Sequence, residues 1–362
     1  MEITASMVKE LREASGAGMM DCKKALNECG GNMEEAMEFL RKNGQAKAVK
    51  KASRIAAEGV CRIAMDGSKK GAVVEVNSET DFVAKNEKFT TYVEKVAAQA
   101  LTTSASDIDA FLAEKWNEDN SKTVNDSLVE MIAVIGEKLS IRRFETIEGD
   151  AVVGYLHGAG RIGVLVAAQT ATANDAVLEA LKNVAMQIAA MNPQYISRDD
   201  ISADEMKKIE EITLDSALND PASLPKPILQ KLLDKAVGEK LWGEEDLKNY
   251  EEQKNNKVLF NVLSDAAKAT LANLAMEDKA NISADKIFSG QVQGRVSKQL
   301  KDICLMDQVY VKAEDGKQSV GAYLKSVAAD LKVAKYVRFE TGEGLEKKNE
   351  DFAAEVAAQM NA

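Results

Sequence analysis

Residues that could carry out covalent chemistry are few in this chain of 362 residues. It has one histidine, His157, so a Ser–His or Cys–His nucleophile pair could form only there, and a histidine-based zinc site would lack partners. The four cysteines form no C-x-x-C pair and are too sparse for a disulfide framework: Cys22, Cys29, Cys61 and Cys304. Paired carboxylates could still do acid–base work, but no spacing singles out a pair. The sequence therefore disfavours an enzyme.

A glycine pattern that could cradle a phosphate lies in the segment HGAGR, from His157 to Arg161. Phosphate cradles follow a strand and open a helix, whereas apolar, strand-like runs flank this segment on both sides. We interpret it as a tight hairpin turn, in which His157 and Arg161 could serve as surface contacts.

An aromatic ring at a chain corner is the next candidate for a functional group. The segment SETDFVAKN, Ser78–Asn86, follows the buried, strand-like run VVEV and precedes a helical pattern. If a helix begins near Thr80, the residues three and four positions after Phe82 are polar, and the continuous apolar stripe starts only at Phe89. The pattern leaves open whether Phe82 faces outward or packs on the sheet. It favours Asp81 as a capping or solvent-facing group.

The first fifty residues of the chain have the pattern of short helices. Apolar residues spaced three or four apart, each run followed by glycine, predict helices over 4–14 and 19–29 and a third that ends at Gly44. Met19 and Met20 start the second helix; since methionines usually fill cores, we expect them in the bundle core, with a partner contact as the alternative. We interpret the basic, alanine-rich stretch 45–59 as a helical linker, with a nucleic-acid contact as the alternative.

Two similar units of hairpin and helix are predicted after the linker. Strand-like runs flank a glycine-containing turn at residues 60–79 and again at 152–170, and an amphipathic helix follows each hairpin. The segments Leu139–Glu148 and Val333–Gly344 resemble each other and would add a third strand to each unit. We interpret this plan as an internal duplication.

An inserted helical segment interrupts the second unit. All four prolines lie between residues 192 and 228, and helical patterns continue to about Gln299. They predict a projecting antiparallel hairpin. A terminal amphipathic helix is predicted over Asn349–Met360, with Phe352 in its apolar stripe.

The composition indicates a soluble, folded chain with no membrane span. The net charge is −11, which argues against direct binding of nucleic-acid phosphates. No apolar run approaches the roughly 20 residues that cross a bilayer, and the start has no apolar leader region. The sparse cysteines are typical of a reducing cytosol, so we expect a cytoplasmic protein.

Several long motifs, in order, resemble one family. They are ITASMVKELREASGAGMMDCKKAL, EVNSETDFVAKN, HGAGRIGVLVAA, VRFETGEG and DFAAEVAAQM. On these residues the chain resembles the elongation factor Ts family over nearly its whole length. The exception is roughly Leu224–Ile282, which looks longer than in the usual member.

The resemblance implies an α+β architecture. It implies a three-helix bundle of the ubiquitin-associated (UBA-like) type, two similar core subdomains, an inserted helical hairpin that serves dimerisation in some members, and a C-terminal helix. We place the bundle and linker at 1–53 and the first core subdomain at 54–148. The second core subdomain has two segments, 149–199 and 300–345, which are separated by the insertion at 200–299. The C-terminal module is at 346–362.

The resemblance also implies a function. The family exchanges guanine nucleotide on elongation factor Tu, binding its GDP-bound and nucleotide-free forms without a cofactor or covalent chemistry, and a homodimer through the insertion is implied for some members. The family segment tied to dislodging the partner's Mg²⁺ corresponds to Thr80, Asp81, Phe82 and Val83. Further candidate partner contacts are Met19, Met20, His157, Arg161 and Phe352. A scaffold or chaperone-like partner of a GTPase, and an enzyme that uses carboxylates, are the alternatives.

Overall fold

A computed structural model describes residues 3–253 and 258–346 of the chain. The chain divides into two compact units. We call the first, made of residues up to 192 and those from 322 onward, the core unit, and the second, residues 193–321, the helical unit. The predicted C-terminal helix, including Phe352, lies outside the described residues.

The helices and strands follow one another in a mixed order that is α+β in class. The first half of the core unit contains α1 (Ala5–Ser15), α2 (Met19–Glu28), α3 (Met33–Lys51), β1 (Glu58–Asp66), β2 (Lys70–Ser78), α4 (Asp81–Ala84), α5 (Glu87–Thr102), α6 (Ile108–Ala113), β3 (Lys115–Trp116), β4 (Asp119–Thr123), α7 (Val124–Ile135) and β5 (Leu139–Glu148). Next come β6 (Ala151–His157), β7 (Ile162–Gln169) and α8 (Asp175–Met191). The helical unit contains α9 (Ala203–Leu218), α10 (Lys226–Gly238), α11 (Glu244–Gln253), α12 (Leu259–Val262), α13 (Asp265–Glu277), α14 (Lys279–Ala284) and α15 (Lys286–Ile303). The chain then forms α16 (Val320–Val327) and β8 (Lys332–Glu340).

The N-terminal helices form a small bundle around a core of their own. That core contains Leu11, Cys22, Leu26 and Ala36. The Asn32 side chain accepts hydrogen bonds from the amides of Glu34 and Glu35 and so caps the N-terminus of α3. The three helices predicted from apolar spacing are therefore present.

The prediction that the third helix ends at Gly44 is wrong, because α3 continues to Lys51. Nothing after Gly44 breaks the helix, since Ala and Lys are good helix formers. Gly44 lies inside α3 where that helix faces α7, with room for a side-chain carbon at ordinary contact distance. A Cβ built at Gly44 would lie 3.5 Å from Ala133 Cβ and 3.7 Å from a Val129 methyl carbon.

Two three-stranded antiparallel sheets form the middle of the core unit. Their strand orders are β1-β2-β5 and β6-β7-β8, so the second strand of each hairpin is central. The hairpins and the third strands predicted for each sheet are confirmed. A register shift between Glu75 and Val76 marks a bulge where β2 pairs with β5.

The two sheets pack face to face, and helices cover their outer faces. The shared layer consists of Cys61, Val73, Ile147, Val152, Leu165, Ala167, Val337 and Phe339. Helix α5 packs on the first sheet through its predicted stripe, which includes Phe89, Val93 and Val96. Because β2 is buried on both faces, it is a nearly continuous apolar run rather than an alternating one.

A buried carboxylate ties the two sheets together at one end. Glu75 on β2 is 0% exposed and accepts hydrogen bonds from Arg142 at 3.0 Å and Arg143 at 2.5 Å. It also accepts a 2.8 Å bond from the amide of Gly342, just after β8. Such a carboxylate is stable in an apolar interior only because these donors surround it.

The helical unit has a separate apolar core rather than the two-helix hairpin expected from the sequence. Helices α9 to α15 contribute buried residues to one cluster, which includes Leu218, Leu232, Trp242, Tyr250, Leu271, Phe288 and Val296. The apolar stripes of α10 and α13 face this cluster, so a simple projecting hairpin would have left them in water. Among residues 3–253 and 258–346, no helix is both long and apolar enough to cross a membrane.

Candidate functional site

The corner after β2 is formed by a one-turn helix rather than by the start of a long one. Helix α4 spans Asp81–Ala84, and a new helix, α5, begins at Glu87. Asn86 separates them, because its side chain accepts hydrogen bonds from the amides of Lys88 and Phe89 and so acts as the N-cap of α5. The segment 80–86 therefore protrudes as a short, sharply bent element.

The ring of Phe82 points away from the protein. Phe82 is 81% exposed, whereas the adjacent Val83 is 9% exposed and packs with the core between the first sheet and α5. In a single helical turn, neighbouring side chains point in different directions, so burial of Val83 turns Phe82 outward. Of the two orientations that the sequence left open, the structure shows the outward one.

Asp81 and Thr80 differ in their contacts. Asp81 is exposed and accepts a 2.6 Å hydrogen bond from Lys85, which lowers the pKa of the Asp81 carboxyl group. Thr80 is bound by Glu137, in the turn between α7 and β5: its amide donates to Oε2 at 3.1 Å and its hydroxyl to Oε1 at 2.8 Å. Asp81 thus faces water, while Thr80 fixes the start of the corner.

A second carboxylate, Glu79, links the corner to the end of the N-terminal bundle. Its Oε1 accepts from the Lys138 amide at 2.6 Å, and Arg54 pairs with both of its oxygens at 3.2 and 3.3 Å. The Lys138 ammonium group in turn donates to the Arg54 carbonyl at 2.7 Å. Sequence reasoning missed Glu79 and Glu137, because their partners lie tens of residues away and no local pattern marks such pairs.

The two methionines at the start of α2 are surface residues. Met19 is 57% exposed and Met20 is 76% exposed, so the expectation that they fill the bundle core is wrong. The buried stripe of α2 starts one turn later, at Cys22, and continues through Ala25 and Leu26. The first turn therefore extends beyond the small core and leaves both side chains in solvent.

The segment from His157 to Arg161 forms the turn between β6 and β7, as expected for a hairpin. Both side chains are exposed, and the Tyr155 hydroxyl lies 3.0 Å from His157 Nδ1. Arg62 on β1 holds the turn by donating to the carbonyl of Ala159 at 3.2 Å. The turn contains a single 3₁₀ turn, Gly158–Gly160, and leads into a strand, so it lacks the α-helix that follows a phosphate cradle.

Two kinds of group bear on covalent chemistry here: metal-ligating side chains and the thiol of Cys61. Within residues 3–253 and 258–346, no group of three or more His, Cys, Asp or Glu side chains is arranged to hold a metal ion. Burial raises the pKa of the Cys61 thiol to about 11, which keeps it protonated and a poor nucleophile. The exposed groups are a ring, two thioethers and an imidazole on three separate elements of the core unit.

Comparison with known proteins decides the family. The family model described as Elongation factor TS matches residues 79–343. The chain is 42% identical to elongation factor Ts of Clostridioides difficile (strain 630) over 362 residues, with 99% of each chain covered. It is 39% identical to elongation factor Ts of Clostridium novyi (strain NT) and 40% identical to that of Clostridium tetani (strain Massachusetts / E88), again over 99% of each chain.

The chain belongs to the elongation factor Ts family. Membership places it in translation elongation, within protein biosynthesis. The match includes the corner at Thr80–Val83 and the turn at His157–Arg161. The expectation that residues 224–282 are unusually long does not hold against these relatives, because they align with the chain over nearly their full lengths.

Proposed function

We propose that this elongation factor Ts family member is a guanine-nucleotide exchange factor for elongation factor Tu. It binds the GDP-bound partner, disturbs the partner's Mg²⁺ site and promotes release of GDP, so that GTP can bind. The observation that carries the proposal is the 81% exposed ring of Phe82, held on a well-anchored corner in a member of this family. No bond is made or broken by the factor itself.

The proposed action of the corner follows from the coordination chemistry of Mg²⁺. The ion requires nearly octahedral oxygen ligands at about 2.0–2.1 Å and tolerates little displacement. A ring inserted next to the partner element that positions those ligands would move them out of place. Loss of the ion leaves the phosphate charge of GDP uncompensated, and the nucleotide dissociates.

Burial of the Phe82 ring alone cannot weaken GDP binding enough, so other contacts of the interface must contribute. Binding of the factor and binding of GDP weaken each other by the same factor, because coupling between two ligands is reciprocal. A thousandfold weakening requires about 4 kcal/mol, whereas burial of one Phe side chain supplies about 1.5–3 kcal/mol. Met19, Met20, His157 and Arg161, all exposed, are the further contacts that we propose.

Release of labelled GDP from elongation factor Tu tests the proposal. An exchange factor accelerates release when present at a small fraction of the partner concentration, because each molecule acts repeatedly. A scaffold or chaperone-like partner, the alternative, changes release only in proportion to the complex formed. No acceleration at substoichiometric levels would refute the exchange function.

A further inference from the structure

We propose that Glu137 is a positioning residue that holds the Phe82 corner in its active orientation from a distant turn. The proposal rests on the exchange function above. Glu137 touches neither the ring nor, in our account, the partner. It acts through Thr80, the residue from which α4 begins.

Helix α4 is too short to hold its own orientation. It has four residues, and no side chain caps its N-terminus. A single turn is unfavourable in isolation, because the first turn fixes several dihedral angles for one hydrogen bond. Its orientation must therefore come from contacts at its two sides.

Contacts of three kinds supply that orientation: apolar packing, a two-oxygen clamp, and the 3.0 Å hydrogen bond that the Ser78 hydroxyl donates to the Thr80 carbonyl. On the inner side, Val83 packs into the core below the corner. On the outer side, both oxygens of Glu137 bind Thr80, one to the amide and one to the hydroxyl. An apolar contact alone would permit rotation, since burial is not directional. The two-oxygen clamp fixes the direction of the chain as it enters the turn.

The clamp is itself held in place. Gly136, next to Glu137, ends α7 in the left-handed conformation, with φ of 84°, and its carbonyl accepts a hydrogen bond from Lys51 of α3. Lys138, on the other side, donates its amide to Glu79. The turn 136–138 thus joins the corner to the C-terminal end of α3.

Loss of the clamp should lower the fraction of molecules in which the corner holds Phe82 in its active orientation. Apparent affinity falls in proportion to the fraction of molecules in the competent conformation. Because hydrogen bonds to a charged group are stronger than neutral ones, we expect Glu137→Ala to slow exchange about tenfold, which corresponds to about 1.4 kcal/mol. Glu137→Gln keeps an acceptor oxygen for the Thr80 amide, and its NH2 group can donate to the Thr80 hydroxyl, which then accepts instead of donating. This variant should retain most of the activity.

A double-mutant cycle separates positioning from general damage. Glu137→Ala should slow GDP release in the parent chain but have no further effect in a Phe82→Ala background. The matched control is Glu130→Ala, which removes a carboxylate of α7 that pairs with Lys122 at 2.6 Å and makes no bond to the corner. Equal slowing in both backgrounds, or parent-like exchange by Glu137→Ala, would overturn the proposal.

Amide hydrogen exchange in the free chain tests the same claim without the partner. Glu137→Ala should speed exchange at Thr80 and at Ala84–Asn86 about tenfold, while the amides of β2 keep their protection. Unchanged protection at the corner would overturn the proposal whatever the GDP assay shows. If the parent chain fails to accelerate GDP release, the exchange function fails, and this measurement still decides the role of Glu137.

Discussion

The ring of Phe82 is available to a partner because the fold does not need it. Its side chain is exposed and contributes little to the core, whereas its neighbour Val83 is buried. The pair therefore offers a direct comparison between the contact that we propose for the partner and a contact that stabilises the fold.

We expect Phe82→Ala to slow exchange roughly ten- to hundredfold, the effect of losing about 1.5–3 kcal/mol of ring burial at the interface. Because the ring is exposed, the free energy of unfolding should change by less than about 0.5 kcal/mol. Val83→Ala should instead lower it by about 1–2 kcal/mol. GDP release and urea unfolding of both variants check this; unchanged GDP release by Phe82→Ala would remove the ring from the mechanism.

Burial should make Cys61 unreactive in the folded chain. Its pKa is raised to about 11 from 9.0, so at pH 8 alkylation should modify the partly exposed Cys29 and spare Cys61 until the chain unfolds. Above pH 9 the thiol ionises in the unfolded chain, whereas in the folded chain it stays protonated to about pH 11. Cys61 therefore lowers the free energy of unfolding as the pH rises from about 9 to 11. Mass spectrometry after alkylation provides the measurement, and rapid labelling of Cys61 at pH 8 would contradict the expectation.

The orientation of Phe82 was not predictable from the residues around it. The sequence showed that the ring lies off the apolar stripe of the following helix, and that much was correct. It did not show that Asn86 would start a second helix and divide the segment in two. The anchors were also invisible, because Glu137 lies 57 residues from Thr80.

Among the elements, the strands were the most predictable and their connections the least. Runs such as VVEV and IGVLVAA are rich in β-branched residues and follow glycine-containing turns, so both hairpins and both third strands could be placed. The bonds that join the two sheets are long-range. Glu75 meets Gly342 across 267 residues, and a buried glutamate in an apolar strand gave no indication of its partner.

The turn after β8 provides a test of that junction. Gly342 has φ of 74°, and a Cβ there would collide with the carbonyl of Ala57. Gly344 has a similar φ of 72° but open space around it. Gly344→Ala should therefore cost only left-handed strain, about 1–2 kcal/mol, and Gly342→Ala at least twice as much. Equal losses of unfolding free energy for the two variants would show that the collision is relieved without cost.

At the scale of the whole molecule, the helical unit carries enough core to fold as a separate piece. Its buried cluster runs from Ile201 to Cys304. The sequence showed the helices but not this cluster, because helical spacing indicates which face is apolar and not which helix covers it. The insertion could therefore be recognised, while its architecture was oversimplified.

We expect residues 193–321, produced alone, to unfold in a single cooperative thermal transition. Deletion of residues 224–282 from that fragment should abolish the transition, because Leu232, Trp242 and Leu271 leave the cluster. Circular dichroism during heating gives the readout. A gradual loss of helix from the intact fragment would mean that the unit depends on the rest of the chain.

The position of the helical unit in the chain has a consequence for biosynthesis. The central strand β7 of the second sheet pairs with β8, but residues 170–331 are made in between. At about 5–20 residues per second, a ribosome needs roughly ten to thirty seconds to deliver β8. For that interval the nascent β7 has one open edge, the kind of surface that recruits foreign strands. In the first sheet, only residues 79–138 separate β2 from its partner β5. A stalled ribosome is therefore more apt to leave the second sheet with an unpaired edge than the first.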